Sequence, residues 1–457
     1  MKERVIELTK QGLTKEQIFE VLKSEGATQL AKAADKLTLN QRRRFVKESF
    51  SSIESQAVEY TKNTDWVKAD QPIQYLKGAK DYVKASNSIS QGKEYKSAVS
   101  VDLDATCSGI QVYGMMFLDV AAAHGVNVSP SDCVQDIYGA IATEMCKIIE
   151  RVGKGDTPSK VQEWLDKEEE KEDRNASTKL QAIKELGESF INRSHTKRIV
   201  MTLTYGLTNF GIMEYSQEAV EKIGENKFSN ANLAKLAFAK IVTVALGKAA
   251  DCAVRGMEFT QKIAKYCANN QIGMLWTTPI GFKAFRGTEA TEEEVIEIRV
   301  TNREFIEDEK GTKYTSQKST RDRLVSYKKT GELSASKMAS AVAPDLVHSL
   351  DASWLMISVE KAHANGVNKF KLVHDSFGTT AANIPKLNLA IRESAVEMSQ
   401  GNYFQEWAVE VTQSQDWEEC KSKVNDWKGE ENYISDDDVA QGDLDLECIM
   451  NSEHIFS

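Results

Sequence analysis

The stretch Lys369-Phe-Lys-Leu-Val-His-Asp-Ser-Phe-Gly-Thr379 places a polar pair, His374-Asp375, between two short apolar runs. Apolar residues on both sides of a polar pair are typical of two strands joined by a tight turn. The pattern therefore predicts a β-hairpin with the Asp375 carboxylate at its tip, where it can meet a metal ion or a substrate. Taken alone, the same pattern also fits an ordinary polar turn in an α/β domain.

The composition indicates a globular chain. Its 457 residues suggest about three domains or lobes, and a hydrophobic content of 41% is enough for a sizeable core. A formal net charge of −10 argues against a nucleic-acid partner, because phosphate binding is driven by basic surface. A local basic cluster such as Arg42-Arg43-Arg44 can override that average, although such a triplet is more often a solvated helix face.

Cysteine spacing and hydropathy bear on the cellular compartment. The seven cysteines show no Cys-x-x-Cys spacing, so the sequence predicts neither a zinc site nor a disulfide framework. Free thiols are typical of a reducing cytoplasm. The charged amino terminus predicts no signal peptide, and no apolar run is long enough to span a bilayer. We therefore expect a cytoplasmic protein without a membrane partner.

Residues 97–109 form a second stretch whose side chains could belong to a functional site. Apolar and polar residues alternate here, which predicts a strand that buries one face, formed by Val99, Val101 and Leu103. Asp102 and Asp104 would share the other face, close to the end of the strand. Carboxylates at a strand end suit Mg²⁺, which takes one or two of them and completes its shell with water and phosphate. A solvated strand end is the alternative.

The third stretch is residues 192–206. If it is helical, Arg193, Lys197, Met201 and Tyr205 recur every four residues and stay within about a third of the helix circumference. Two cations and a phenol on one stripe favour a site over a solvated basic face. Gly206 is expected to end the helix and to leave the phenol at the edge of a cleft.

The other segments receive structural predictions only. The window 152–188 alternates Lys and Glu without an apolar stripe, which predicts an exposed insertion without a core. Further predictions are a capping box at Thr14–Gln17, helices over 134–149 and 210–268, a strand and turn over 276–282, an exposed hairpin within 286–337 that turns at 309–311, and a helix over 345–364 that Pro344 starts and Gly366 stops.

Taken together and in this order, the three stretches resemble the single-subunit RNA polymerases of phages and mitochondria. The family motifs are Asp-x-x-Cys-Ser-Gly-Ile-Gln, here Asp104 to Gln111; Arg-x-x-x-Lys followed by Tyr-Gly eight residues beyond the lysine; and His-Asp-Ser-Phe-Gly, here His374 to Gly378. Three linked motifs are far more specific than any one of them. Similar strings, such as Val134-Gln-Asp-Ile-Tyr-Gly139 and Ala343-Pro-x-x-Val-His-Ser349, extend the resemblance over nearly the whole chain.

The resemblance implies an α+β fold, with a right-hand polymerase palm built from a small antiparallel sheet and helices, and a mostly helical fingers domain. The implied divisions are 1–97, an amino-terminal helical part of the palm; 98–150, palm with the first motif; 151–285, fingers with the Arg/Lys/Tyr helix; 286–340, a hairpin like a specificity loop; and 341–457, palm with the His-Asp hairpin and a carboxy-terminal foot.

The resemblance also implies the reaction, DNA-directed RNA synthesis by nucleotidyl transfer. Asp104 and Asp375 would hold two Mg²⁺ ions about 4 Å apart, with the backbone carbonyl of Ala105 as a further ligand. One ion would activate the 3′-hydroxyl of the RNA, and the other would hold the triphosphate. Asp102 stands where family members usually have an uncharged residue, so Asp104 is taken as the ligand.

Roles for the remaining residues follow from the resemblance as well. Lys197 and Arg193 would neutralise the triphosphate, and Tyr205 would test for the ribose 2′-hydroxyl. The implied catalytic set is Asp104, Asp375, Lys197, Tyr205 and His374, and the implied substrate-binding set is Arg193, Arg198, Arg44, Gly206, Gly109, His348 and Phe210. Within the second set, His348 and Gly109 would touch the growing strand in its minor groove. The match at Arg44 is the weaker one.

Two alternatives remain at this point. A DNA polymerase of the same right-hand superfamily shares the Arg-x-x-x-Lys helix, but such enzymes usually have Glu where this chain has Ser376 and a bulky Glu where it has Cys-Ser-Gly. The second alternative is a catalytically inactive nucleic-acid-binding subunit, which retention of both aspartates, Lys197 and Tyr205 opposes.

The chain departs from the family in three places. Glu292-Glu-Glu294 and Glu307-Asp-Glu309 make the 286–337 hairpin acidic, and the carboxy terminus ends in Glu-His-Ile-Phe-Ser457 in place of the family's foot. The sequence also contains no Asp-x-x-Gly-Arg, the family segment that grips template and hybrid. We therefore expect a second polypeptide that carries the thumb and this motif. DNA template, RNA product and NTPs are the other expected partners, with phage factors that recruit the template, in the cytoplasm of an infected bacterial host.

Overall fold

The computed structural model describes residues 39–69, 71–132, 134–167, 175–307, 313–427 and 432–456, together with Gln17 and Val21. The remaining positions include most of the predicted capping box at Thr14–Gln17 and the predicted turn at 309–311, which lie outside the described residues.

Most of the described chain is helical, and the strands form small antiparallel sheets, as expected for an α+β protein. The helices are α1 (Leu39–Glu48), α2 (Phe50–Val58), α3 (Pro72–Ser90), α4 (Ser108–Met116), α5 (Val120–Gly125), α6 (Ile137–Gly153), α7 (Ser159–Asp166), α8 (Ala176–Glu188), α9 (Arg193–Leu203), α10 (Asn209–Ile223), α11 (Ala231–Ala249), α12 (Asp251–Asn269), α13 (Ala335–Ala364), α14 (Ile384–Met398), α15 (Tyr403–Val411), α16 (Trp417–Asp426) and α17 (Leu446–Met450). The strands are β1 (Ser100–Asp104), β2 (Met274–Thr277), β3 (Lys283–Arg286), β4 (Glu289–Glu307), β5 (Lys313–Leu333), β6 (Lys371–Val373) and β7 (Ser376–Thr380).

The predicted hairpin of the opening stretch is confirmed. Strands β6 and β7 pair antiparallel around His374-Asp375, and β7 also pairs antiparallel with β1, which gives the strand order β1-β7-β6. Asp104 at the end of β1 lies opposite Ser376 at the start of β7. Because antiparallel neighbours run in opposite directions, the end of β1 and the hairpin tip lie at the same edge of the sheet.

The strand over 97–109 is confirmed as β1, but the prediction that its apolar face is buried is wrong for Val101. This side chain is 39% exposed, whereas Leu103 is partly buried against the core. The core covers this face of β1 at Leu103 but not at Val101.

One continuous hydrophobic core runs from helix α4 to the carboxy terminus, and helices α2 and α3 form a small separate cluster around Ile53 and Val83. The predicted helices over 134–149 and 210–268 are confirmed by α6 and by α10 to α12, with short breaks. Ile137, Ile141, Met145 and Ile148 of α6 are buried, as their spacing predicts.

Helix α13 corrects one prediction. It begins at Ala335 with Ser334 as its N-cap, ten residues before the predicted start, and Pro344 lies inside it. Proline has no N–H, so the carbonyl of Ser340 four residues earlier is released from the helical hydrogen-bond ladder. That carbonyl faces Gly206, where a Cβ atom would lie 2.8 Å from it. The predicted stop at Gly366, with φ 84°, is confirmed.

The prediction of an exposed insertion over 152–188 is wrong for its two ends. Helices α7 and α8 bury apolar side chains against the core, among them Val161, Leu165, Ile183 and Leu186. Lys179 is fully buried, and its ammonium donates to the carbonyls of Trp164 (2.9 Å) and Lys167 (2.7 Å). The charged run at 168–174 dominated the composition of the window and concealed these apolar positions, and it lies outside the described residues.

The predicted hairpin within 286–337 is confirmed as β4 and β5. Glu292 lies opposite Lys328, and Lys329 pairs with Glu289 at 3.4 Å, so acidic positions of one strand meet basic positions of the other. Strands β2 and β3 confirm the strand and turn over 276–282. Across the described ranges, no helix combines the length and the apolar character needed to cross a membrane.

Candidate active site

A cleft of about 490 Å³ opens at the edge of the sheet where β1 ends. Its volume lies within the roughly 300–1,000 Å³ typical of small-molecule sites. The walls come from all three motif-bearing stretches: Asp104, Ala105, Thr106, Cys107, Ser108, Gly109, Val134, Gln135, Asp136, Tyr138, Arg193, Lys197, Met201, Tyr205 and Asp375.

The carboxylates of Asp104 and Asp375 lie at the floor of this cleft. The two residues are joined through the backbone, because the N–H of Ala105 donates to the carbonyl of Asp375 at 3.2 Å. Loss of solvent around the carboxyl, followed by the nearby charge of Asp375, raises the pKa of Asp104, while the Lys197 ammonium acts in the opposite direction. A cation between the two carboxylates would relieve this repulsion.

His374 occupies the other position of the turn. Its side chain is exposed, and its backbone has φ 52°, a left-handed conformation that non-glycine residues seldom adopt. The conformation costs on the order of 1–3 kcal/mol, which the paired strands on both sides sustain. The turn thereby holds the adjacent Asp375 at the edge of the sheet.

Asp102 is on the same face of β1 as Asp104 but has different partners. Its carboxylate forms an ion pair with Lys371 of β6 and accepts a hydrogen bond from Ser100 at 2.8 Å. The Lys371 ammonium lowers the pKa of Asp102. The contact spans the central strand because Gly378 lies between the two residues in register, and a Cβ there would be 2.2 Å from Asp102 Oδ1. Asp102 does not line the cleft.

Helix α9 supplies the opposite wall, and the predicted stripe of Arg193, Lys197, Met201 and Tyr205 faces the cleft. Asn192 caps the helix by accepting hydrogen bonds at its amino terminus. The helix ends at Leu203, two residues before the phenol and earlier than predicted, and the left-handed Gly206, with φ 77°, follows Tyr205 in the turn.

Arg193 is held in place by two residues that sequence reasoning did not assign to the site. Its guanidinium pairs with Asp136 at 3.0 Å and lies over the ring of Tyr138, with 4.9 Å between the guanidinium carbon and the ring centre. Both partners belong to the phage-like string Val134 to Gly139. That string was a signal for the site, but its spacing alone did not reveal which side chains face Arg193.

Tyr205 contacts residues from two helices. Its ring packs on His348 of α13 with 5.1 Å between ring centres, and its hydroxyl lies 3.4 Å from Ser108 Oγ of α4. Burial raises the pKa of the Tyr205 phenol, so it stays protonated near neutral pH. Gly109 permits this approach, since a Cβ there would lie 2.1 Å from Thr204 Oγ1.

Five of the seven predicted substrate-binding residues do not line the cleft: Arg198, Arg44, Phe210, Gly206 and His348. Arg198 forms an ion pair with Glu218 and lies over the ring of Tyr215, Phe210 is 80% exposed, and Arg44 pairs with Glu48 at 3.0 Å on α1. Their roles as substrate contacts stay predictions.

The carboxy terminus reaches the site despite its unusual sequence. Phe456 is buried, forms a β-bridge with Ala105, and packs against Phe377 with 4.7 Å between ring centres. Gln111 of the first motif donates to the carbonyl of Ile455 at 2.7 Å. The last residues therefore support the strand ends that carry the two carboxylates.

The carboxylates of Asp104 and Asp375 suit Mg²⁺ better than they suit a metal ion whose ligands all come from the protein. Within the described ranges, no group of three or more His, Cys, Asp or Glu side chains converges on one point. Two carboxylates beside an open cleft match the preference of Mg²⁺ for one or two protein carboxylates with water and phosphate completing the shell.

Comparison with known proteins decides the family. The family model described as DNA-dependent RNA polymerase matches residues 15–445. The chain belongs to the DNA-dependent RNA polymerase family. This confirms the resemblance inferred from the three motifs.

The chain is similar to polymerases of phages and plant organelles. It is 29% identical over 409 residues to the DNA-directed RNA polymerase of Enterobacteria phage T3, a match that covers 85% of this chain and 44% of that protein. It is 28% identical to the T7 RNA polymerase of Escherichia phage T7, over 86% of this chain and 45% of that protein. It is 27% identical to the DNA-directed RNA polymerase 2, chloroplastic/mitochondrial, of Arabidopsis thaliana, a match that covers 82% of this chain and 33% of that protein. The matched part of the chain thus spans less than half the length of these relatives.

Proposed function

We propose that this chain is the catalytic part of a DNA-directed RNA polymerase, which transfers nucleotides from NTPs to the 3′ end of RNA under the direction of a DNA template. The observation that carries the proposal is the single cleft in which Asp104 and Asp375 face Arg193, Lys197 and Tyr205. In nucleotidyl transfer, carboxylates can hold the metal ions and cationic side chains can neutralise the phosphates. The phenol is placed where it can contact the sugar.

In this proposal each cleft residue has a defined task. Asp104 and Asp375 would hold two Mg²⁺ ions, with the Ala105 carbonyl beside them, and bound Mg²⁺ would supply charge stabilisation and lower the pKa of the attacking 3′-hydroxyl. Lys197 and Arg193 neutralise the triphosphate oxygens, and Asp136 keeps Arg193 oriented before substrate enters. Tyr205 and His348 form the surface on which the ribose rests.

The same proposal assigns a right-hand polymerase fold. Strands β1, β6 and β7 with helix α13 would form the palm, and helices α7 to α12 the fingers. The β4–β5 hairpin would lie where the family carries a specificity loop. We place the reaction in the cytoplasm of an infected bacterial host.

A primer-extension assay tests the proposal. An RNA primer annealed to a DNA template removes the need for a promoter, and the protein is supplied with Mg²⁺ and either four NTPs or four dNTPs. We expect addition of the ribonucleotide that complements the template base and little addition of dNTPs. Efficient dNTP addition would favour a DNA polymerase, and scaffold binding without any addition would favour an inactive binding subunit.

We further propose that activity depends on a second polypeptide that supplies the thumb and the Asp-x-x-Gly-Arg motif, with phage factors that recruit the template as additional partners. Exposed apolar side chains on and beside helices α2 and α3 support a docking surface there: Val58, Val67, Ile73 and Ile89, each more than half exposed.

The partner proposal has its own test. Extension by this chain alone is compared with extension after adding a polypeptide that carries the Asp-x-x-Gly-Arg segment. Weak activity alone with recovery on addition is the expected result. Processive transcription from duplex DNA by this chain alone would refute the partner proposal and leave the catalytic proposal intact.

A further inference from the structure

A chain of hydrogen bonds lies behind Tyr205, on the side away from the cleft opening. Ser108 Oγ donates to Asp351 Oδ2 at 3.0 Å and lies 3.4 Å from the Tyr205 hydroxyl. The three residues come from α4, α13 and the turn that follows α9, so the tertiary fold alone brings them together.

Asp351 has no evident structural purpose at this position. It is largely buried, it lies on α13 one turn after His348, and none of the ion pairs among the described residues involves it. Partial burial of a carboxylate that forms no ion pair is unfavourable for folding, so a task in the neighbouring cleft would account for its presence. Its hydrogen bond from Ser108, which is 3% exposed, is the contact through which that task would act.

The number of protons available decides which group donates each hydrogen bond between Tyr205, Ser108 and Asp351. A serine hydroxyl has one proton, and an ionised carboxylate can only accept hydrogen bonds. Burial raises the pKa of Asp351 to about 6, so the carboxyl is mostly ionised at pH 7.5. Because the Ser108 hydroxyl donates its one hydrogen bond to Asp351, its oxygen can only accept a hydrogen bond from the Tyr205 hydroxyl. The Tyr205 proton then points at Ser108, and the phenol oxygen presents lone pairs to the cleft.

We propose that Asp351 is a positioning residue for sugar selection: through Ser108, it orients the Tyr205 hydroxyl so that the phenol oxygen accepts a hydrogen bond from the ribose 2′-hydroxyl. This inference rests on the proposed function, because it assumes that Tyr205 meets the sugar of an incoming nucleotide. A 2′-deoxyribose has no proton to donate there and leaves the buried phenol oxygen without its partner. The orientation turns a phenol that could donate or accept into one that only accepts.

Equilibrium binding provides a test that does not require chemistry. The protein is bound to an RNA–DNA scaffold whose RNA ends in a 3′-deoxynucleotide, and GTP and dGTP compete with a fluorescent ribonucleotide opposite a template cytosine. Asp351→Leu and Ser108→Ala should each lower the preference for GTP by about three- to tenfold, the usual value of one hydrogen bond. Asp351→Asn keeps an oxygen that can accept from Ser108 and should stay near the wild-type preference.

A double-variant comparison separates positioning from general structural damage. In a Tyr205→Phe background the hydroxyl is absent, so Asp351→Leu should change the GTP preference no further. Ala352→Leu, at the adjacent exposed position of α13, is the matched control and should have no effect. If Asp351→Leu does not fold, Ser108→Ala with the same background carries the test.

The outcomes distinguish this inference from the function on which it rests. A wild-type protein that prefers GTP, with the same preference in Asp351→Leu and Ser108→Ala, overturns the inference alone. An equal loss from Asp351→Leu with and without Tyr205→Phe also overturns it, since the effect would not pass through the phenol. Equal binding of GTP and dGTP by the wild-type protein would contradict the proposed sugar discrimination by Tyr205, and the inference about Asp351 would be refuted as well.

Discussion

Asp102 and Asp104 lie two residues apart on one strand face, and the structure predicts opposite consequences for their loss. Asp104 lines the cleft, and burial, followed by the nearby charge of Asp375, raises the pKa of its carboxyl. Asp102 is paired with Lys371 away from the cleft. We therefore expect Asp104→Ala to be inactive but no less stable than wild type, and Asp102→Ala to be active but slightly less stable.

The magnitudes follow from these surroundings. A metal ligand at the reacting centre supports several kcal/mol of transition-state stabilisation, and about 4 kcal/mol corresponds to roughly a thousandfold in rate. Asp104→Ala should therefore lower single-nucleotide addition by at least about that factor. Asp102→Ala removes an exposed ion pair, worth about 0–1 kcal/mol of folding stability, and should lower the addition rate by less than about threefold.

Two assays on the same preparations measure the contrast. Urea unfolding gives the stabilities, and rapid-quench addition of one nucleotide to a primed template gives the rates, with the complementing polypeptide present if the chain requires it. Lys371→Ala is the matched control and should reproduce the Asp102→Ala phenotype. An Asp102→Ala protein as inactive as Asp104→Ala, with its fold intact, would refute the assignment of the ligand on β1.

Three further predictions use other parts of the site. Tyr205→Phe keeps the ring on His348 but loses the hydroxyl, so NTP-over-dNTP selectivity in competition should fall about five- to a hundredfold, for a loss of roughly 1–3 kcal/mol; unchanged selectivity would reject the role. Because burial raises the pKa of Asp351 from its ordinary value near 4 to about 6, the neutral carboxyl is favourable at low pH and that contribution is lost as the pH rises through 6. Asp351→Asn should accordingly add up to about 2–3 kcal/mol to the unfolding free energy above pH 6.5 and almost none near pH 4, whereas a pH-independent difference in urea unfolding would contradict this. Gly378→Ala places a Cβ 2.2 Å from Asp102 Oδ1 and should cost about 1–2 kcal/mol, partly restored by adding Asp102→Ala; additive losses in the double variant would argue against the contact.

The sequence could predict the parts of the site that depend on local pattern. Residues 369–379 alternate apolar and polar character around one polar pair, and the hairpin follows from that pattern without tertiary information. The four-residue spacing of Arg193, Lys197, Met201 and Tyr205 likewise requires only helix geometry. The meeting of Asp104 with Asp375 was inferred from family resemblance, because 271 residues separate them and no local rule pairs β1 with β7.

The features that sequence reasoning missed all depend on long-range contacts or on compensation between neighbours. Asp351 and Ser108 belong to different helices, so neither suggests a hydrogen bond to the other from its own segment. Proline favours the first turn of a helix, so the sequence predicts a helix start at Pro344. Its missing N–H is nevertheless tolerated inside α13, where the freed Ser340 carbonyl faces Gly206. The apolar positions of α7 and α8 were hidden by the charged residues between them.

Cation binding tests most directly the proposal that Asp104 and Asp375 hold two Mg²⁺ ions. Mn²⁺, which can be followed by electron paramagnetic resonance, is titrated into the folded protein in the presence of a non-hydrolysable NTP analogue. We expect the wild-type protein to bind Mn²⁺, and Asp104→Ala and Asp375→Ala each to lower the Mn²⁺ affinity by at least about tenfold. Asp102→Ala should leave the Mn²⁺ affinity unchanged. Equal Mn²⁺ affinity in all four proteins would contradict the proposal.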